Sequence, residues 1–129
     1  MSEIKGHGID LVECGRIKEL ADRYGDRFLH RVFTPAELTY SGARKRRWEH
    51  LAGRFAVKEA VLKALGTGWR GEIAWTDIEV NNDPLGRPAV QLSGFTQQLA
   101  QQKGITEIQV SISHNPLYAI ASALAIGPV

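Results

Sequence analysis

The 129-residue sequence predicts an α+β fold, an antiparallel sheet packed with one long central helix and shorter helices. Three observations carry this. Residues 48–65 form the longest stretch with helical apolar spacing, and Gly66 closes it. Residues 107–113 alternate apolar and polar, and the turn His114-Asn115-Pro116 leads into apolar residues 117–126, which favours an antiparallel return strand. The element order, strand, helices, strands, helix, strands, is that of an α+β chain, and its length is that of one domain spanning residues 1–129.

In chain order, Ile4 to Val12 reads as a strand. Gly6 and Gly8 imply close backbone approach or a bulge. Asp10 is out of pattern between Ile9 and Leu11; the bland reading is a solvent-facing position on a half-buried strand. Arg16 to Val32 is an amphipathic helix with Ile17, Leu20, Ala21, Tyr24, Phe28 and Leu29 on one face and Gly25 as its weak point. Its other face presents Arg16, Arg23 and Arg27, with Arg31 beside them, as a solvated face or a docking stripe for an acidic helix. Thr34-Pro35-Ala36-Glu37 is a capping box with proline at the first helical position, so Glu37 is read as a cap rather than a catalytic acid. That helix is short, to about Ser41. Arg44 to Arg47 then places four consecutive cations, which either hold phosphate or are solvated.

On the central helix, Trp48, Leu51, Phe55 and Leu62 share a stripe, and Ala52, Ala56, Ala60 and Ala64 form a strip that another backbone can approach closely. Glu59 falls between the two, where an acid is costly without a cation, a metal or hydrogen bonds. It either pairs with Lys63 at i,i+4 or has a function. Gly66-Thr67-Gly68 is a helix stop or a loop that offers backbone N–H groups to a ligand; no Walker pattern is present. Residues 74–80 and 88–92 read as a hairpin with Ile78, Val80, Val90 and Leu92 inward and Asn81 to Arg87 as its turn. Gly94 to Lys103 is a short helix closed by Gly104.

Hydrophobic residues make up 43% and charged residues 23%, an ordinary globular composition, and no apolar run is long enough to cross a membrane. The first residues lack the apolar core of a secretory signal, and the single cysteine, Cys14, excludes an intramolecular disulfide, so a cytoplasmic protein is expected. Cys14 reads as filler or an exposed thiol before it reads as a nucleophile. Net charge is +2, but residues 16–63 hold 12 Lys and Arg against 6 Asp and Glu, which points to an anionic partner. A serine–histidine triad is discarded, because no GxSxG elbow exists and neighbours in a strand face opposite ways. The four histidines lack zinc-ligand spacing. What remains is a phosphate-and-hard-metal set. Asp10 and Glu59 are two awkwardly placed carboxylates suited to Mg²⁺, and Arg44 to Arg47, Arg54, Lys58, Lys63 and His114 are candidate phosphate contacts. The competing reading is a non-catalytic RNA-binding module, but Trp48, Phe28 and Phe33 sit on apolar faces rather than forming a stacking array.

Gly8-Ile9-Asp10-Leu11-Val12-Glu13 with Arg16-Ile17, Phe33-Thr34-x-x-Glu37, the run Gly53-Arg54-Phe55-Ala56-Val57-Lys58-Glu59-Ala60 continuing through Lys63 to Gly68, Asp77-Ile78-Glu79-Val80 and Ser111-Ile112-Ser113-His114 resemble the bacterial holo-[acyl-carrier-protein] synthases, the short class of the 4′-phosphopantetheinyl transferase superfamily. The resemblance covers essentially the whole chain. It implies Mg²⁺-dependent transfer of 4′-phosphopantetheine from coenzyme A to a serine of apo-acyl carrier protein, in support of fatty acid synthesis, with no nucleic acid and no membrane insertion. Asp10 and Glu59 match the family's metal carboxylates, and Lys63 matches a lysine near the transferred phosphate. Lys45, Arg46, Arg54 and His114 match positions at or near the coenzyme A phosphates, and Gly66, Thr67 and Gly68 match a loop bordering the nucleotide. Arg16, Arg23 and Arg27 match cations that meet the acidic helix of the carrier protein. The resemblance also implies a homotrimer with active sites between subunits, one subunit bringing Asp10 and another Glu59 or its helix.

Overall fold

Strand β1 (Ser2–Glu13) opens the chain and is antiparallel to the last strand, β5 (Tyr118–Pro128), with Asp10 opposite Ala121. β5 in turn pairs antiparallel with β4 (Glu107–His114), giving the order β1-β5-β4. The return strand expected after the His114-Asn115-Pro116 turn is therefore present. The second sheet is a separate antiparallel hairpin of β2 (Ile78–Asn82) and β3 (Pro88–Leu92). The computed structural model describes residues 1–129.

Five helices cover these sheets. The stretch expected as one helix from Arg16 to Val32 is two, α1 (Cys14–Tyr24) and α2 (Asp26–Val32). Gly25 separates them at φ +60, a left-handed backbone that closes α1 through its own N–H to the Ala21 carbonyl. Helix α3 (Pro35–Gly42) carries the capping box as read: the Thr34 hydroxyl accepts from the Glu37 N–H, and the Glu37 carboxylate accepts from the Thr34 N–H at 2.9 Å. Helix α4 (Arg47–Ala64) ends in a Schellman turn, with the Gly66 N–H on the Lys63 carbonyl and the Thr67 N–H on the Leu62 carbonyl. Helix α5 (Gly94–Gln102) lies beside a 3-10 turn at Trp75–Asp77, so the hairpin begins later than residue 74. The Asp77 carboxylate makes that turn by accepting from the Ala74 N–H and the Thr96 hydroxyl.

The core is α4 laid across the inner face of the three-stranded sheet. Ala119, Ala121, Ala123 and Ala125 line that face from β5 and are essentially inaccessible. The small residues set the approach. A methyl group added at Gly6 would stand 1.9 Å from the Ala64 carbonyl oxygen, and one at Gly8 would stand 1.9 Å from that of Ala60. Both readings of these glycines hold, since the β1–β5 register also shifts at a bulge between Ile4 and Gly6. The alternation that buries Gly8 and Val12 turns Ile9 and Leu11 outward, where they are 52% and 62% exposed. Tyr118 and Ile120 join them from β5.

Candidate active site

Close contact between β1 and α4 builds the carboxylate centre. Asp10 faces α4, not solvent, with only 11% of its side chain exposed. Lys63 Nζ donates to Asp10 Oδ1 at 3.1 Å and to the Ile9 carbonyl at 2.9 Å. Lys63 is thus paired with Asp10 rather than with Glu59, its i,i+4 neighbour. The Glu59 carboxyl meets Asp10 carboxyl to carboxyl. Burial, then this contact and the negative charge of Asp10, push Glu59 up to about 7, against the opposing pull of Lys63 and Arg16. A single chain therefore assembles Asp10, Glu59 and Lys63, which corrects the expectation that the two carboxylates come from different subunits. The reason is the glycine–alanine contact, which brings the two elements to backbone distance.

This centre fits a hard divalent cation. Asp10 Oδ2 is buried, and no lysine, arginine or backbone N–H reaches it. Two oxygen-bearing carboxyls that repel one another when both are ionised are the donor set Mg²⁺ takes, with the remaining positions left to phosphate and water. No cluster of three or more His, Cys, Asp and Glu exists to form an all-protein metal cage.

A second site lies in the N-terminal half of α4. A cleft of about 200 Å³ is lined by Tyr40, Glu49, Arg54, Asn82, Gly86 and His114, among others. Arg54 is 3% exposed. Its Nη2 donates to Asn82 Oδ1 at 2.7 Å, its guanidinium lies 4.2 Å from the Tyr40 ring centre, and its Nε has no partner. Arg44 covers the same ring at 4.0 Å. His114 contacts Glu49 through Nδ1 at 2.8 Å, and the His50 ring lies 5.3 Å from it. Burial and the nearby His114, Arg54 and Arg44 hold His50 below the usual imidazole range, so it is neutral near pH 7. The cleft thus presents a buried cation and a held imidazole to any anion that enters.

The candidate phosphate contacts do not converge in one chain. Lys45, Arg46, Arg54 and His114 gather around the N-terminal half of α4, whereas Gly66, Thr67 and Gly68 follow its C-terminus. About 20 residues of helix, ~30 Å, separate Arg46 from Gly66. Arg54 and Glu59 also point about 140° apart around the helix axis. Lys45 and Arg46 are exposed, Arg46 lying 3.9 Å from Glu49. Gly66 and Gly68 have φ of +76 and +63, and Thr67 Oγ1 is buried without a partner. Lys58 is not a phosphate contact. Fully buried on the opposite side of α4 from Asp10, it pairs with Glu37 at 2.9 Å and donates to the Trp75 and Ile78 carbonyls. Burial lowers its pKa, and the Glu37 carboxylate works against that.

Arg16, Arg23 and Arg27 are exposed on α1 and α2, and none of them has a carboxylate partner. Arg16 is near enough to Glu59 to affect its charge. Phe33 is fully buried, and Phe28 and Trp48 are partly buried against the core, so these three form no exposed stacking array. Residues the sequence reading did not single out are Tyr40, Glu49, His50 and Asn82. Their signal is tertiary, since they come from α3, α4 and the hairpin and meet only in the folded chain.

The same architecture occurs in known proteins. The holo-[acyl-carrier-protein] synthase of Koribacter versatilis is 46% identical over 121 residues, 94% of this chain and 97% of that protein. The Desulforudis audaxviator holo-[acyl-carrier-protein] synthase is 47% identical over 125 residues, 97% of this chain and 95% of that protein. The crystal structure of Helicobacter pylori holo-[acyl-carrier-protein] synthase in complex with coenzyme A superposes with a TM-score of 0.81 at 32% identity, covering 92% of this chain and 98% of that one. The family model for the 4′-phosphopantetheinyl transferase superfamily matches residues 6–121, and the chain belongs to that superfamily.

Proposed function

We propose that this chain is a holo-[acyl-carrier-protein] synthase, moving 4′-phosphopantetheine from coenzyme A to a serine of apo-acyl carrier protein and releasing adenosine 3′,5′-bisphosphate. One observation carries the assignment of the centre: Asp10, Glu59 and Lys63 converge where β1 meets α4, and a buried Asp10 oxygen is left without a cationic or N–H donor. Asp10 and Glu59 would hold Mg²⁺, which neutralises charge on a bridging pyrophosphate when bound. Lys63, half exposed beside them, binds the transferred phosphate and stabilises the charge that builds on it. The serine hydroxyl loses its proton to Asp10 or to a water beside the carboxylates as its oxygen bonds to phosphorus and the bond to the leaving bisphosphate breaks. Arg54 and His114 in the second cleft, with Lys45 and Arg46 at its edge, take coenzyme A phosphates. Arg16, Arg23 and Arg27 form the cationic stripe that receives an acidic helix of the carrier protein.

The separation of the two sites along α4 supports a composite active site. Two neighbouring copies bring one copy's cleft to the other copy's carboxylates without a ligand wrapping the helix. The outward apolar row Ile9, Leu11, Tyr118 and Ile120 lies on the strands that hold Asp10 and its partner, and such an uncovered face marks an assembly surface. These grounds support an assembly of copies, and the resemblance to the holo-[acyl-carrier-protein] synthases implies that it is a homotrimer. No helix is long and apolar enough to cross a membrane.

The test is incubation with coenzyme A, Mg²⁺ and apo-acyl carrier protein, followed by the intact mass of the carrier. A carrier that gains the phosphopantetheine mass supports the reading. No gain, while a known transferase works in parallel, overturns it. Light scattering reads the oligomeric state of the same sample.

A further inference from the structure

We infer that Glu49 is a positioning residue for coenzyme A: it accepts the Nδ1 proton of His114, fixes that tautomer and holds Nε2 toward the cleft. The inference rests on the proposed function and concerns a residue that itself touches no substrate.

The geometry is specific. Glu49 is buried, and its Oε1 is 2.8 Å from His114 Nδ1, a charge-assisted distance. A carboxylate only accepts, so Nδ1 carries a hydrogen; the opposite nitrogen is left for the ligand and donates to a phosphate oxygen once the ring takes up its second proton. His114 ends β4, where the chain turns at Asn115, and Glu49 is its one side-chain hydrogen-bond partner. Glu49 stands in the first turn of α4 and ties that exposed strand end to the helix. The second Glu49 oxygen faces Arg46 at 3.9 Å. One buried carboxylate thus sets the ring beside the cleft and lies close to a cation at its edge. His50, neutral and 5.3 Å from His114, packs against the ring without offering it an acceptor of fixed charge.

The experiment compares Glu49→Gln and Glu49→Leu in the whole enzyme, with coenzyme A as the varied substrate. Glutamine retains an oxygen that accepts from Nδ1; leucine does not. Glu49→Leu is expected to raise the coenzyme A KM about tenfold or more, with kcat at saturation kept, and Glu49→Gln to restore most of the KM. Nitrogen-15 spectra of the imidazole rings report the tautomer directly, with His114 expected in the Nδ1–H form in wild type and Glu49→Gln. A wild-type KM in Glu49→Leu, a KM in Glu49→Gln as poor as in leucine, or an Nε2–H tautomer of His114 in wild type each overturns the inference. If leucine prevents folding, the Gln KM and the ring spectra decide alone. A wild-type protein that binds no coenzyme A overturns the proposed function and this inference together; wild-type binding with any of the three outcomes above overturns only the inference.

Discussion

Replacing Glu59 by glutamine is predicted to stabilise the metal-free protein while abolishing its activity. Two carboxyls meet at the β1–α4 junction, and the folded chain holds the Glu59 proton up to about 7, where an ordinary glutamate sits at 4.5. The native state therefore binds this proton more tightly than the unfolded chain. Its contribution to stability is fully present below 4.5 and is lost as pH rises through about 7. The displacement corresponds to at most about 3 kcal/mol. Glu59 is only partly buried, and solvent screening reduces that to about 1–2 kcal/mol. Glutamine carries no charge at any pH, so at pH 8 in EDTA the variant should melt roughly 4–8 °C above wild type. The gap should close as pH is lowered toward 4.5. Added Mg²⁺ should raise the melting temperature of wild type and leave the variant unmoved. Differential scanning calorimetry of both proteins, with and without the ion, reads the melting shifts, and the intact mass of the carrier reads the activity. A variant that melts below wild type at pH 8 in EDTA, or a gap independent of pH, refutes the paired-carboxyl reasoning.

Three further predictions address other parts of the molecule. Gly8→Ala should cost several kcal/mol, because its methyl group meets the Ala60 carbonyl at 1.9 Å; urea titration would show it, and a wild-type midpoint would rule out the close contact. Lys58→Met leaves Glu37 buried and unpaired and should cost about 3–5 kcal/mol, most of it recovered by adding Glu37→Gln, as chemical denaturation of the single and double variants would reveal. Leu11→Glu should lower the oligomeric state measured by light scattering and reduce phosphopantetheine transfer while the circular dichroism spectrum stays native. An unchanged molar mass would exclude the outer sheet face as the assembly surface.

Elements whose cause is local were readable from sequence. The capping box at Thr34, the glycine stop of α4 and the alternation of β4 all follow from neighbouring residues. The two glycines of β1 and the alanine strip of α4 were each legible, though sequence alone does not say that one packs on the other. Glu59 and Asp10 stood out because a charge on an apolar surface requires a reason, but the motif resemblance, not the spacing, joined them. Three features escaped for physical reasons. Gly25 breaks the long amphipathic pattern, because one left-handed residue redirects a helix without altering the periodicity on either side. Lys58 looked like Lys63 as a helix cation, but it lies nearly halfway round the helix, where Glu37 and the Trp75 and Ile78 carbonyls take it up. The cleft around Arg54 draws on residues from Tyr40 to His114, a convergence set by tertiary packing alone.

The alternation of β1 makes the enzyme sensitive to counting. Odd positions Ile9 and Leu11 face outward, and the even position Asp10 faces the helix. Sliding the strand by one residue against β5 would carry Asp10 to the outer surface and turn two large apolar side chains toward α4, against which Gly6 and Gly8 leave no room for a side chain. A one-residue deletion between Gly6 and Val12 would therefore remove the proposed metal carboxylate and dismantle the proposed assembly face in a single event. The bulge between Ile4 and Gly6 lies outside that window, so a length change before it can be taken up without disturbing the frame in which Asp10 is read.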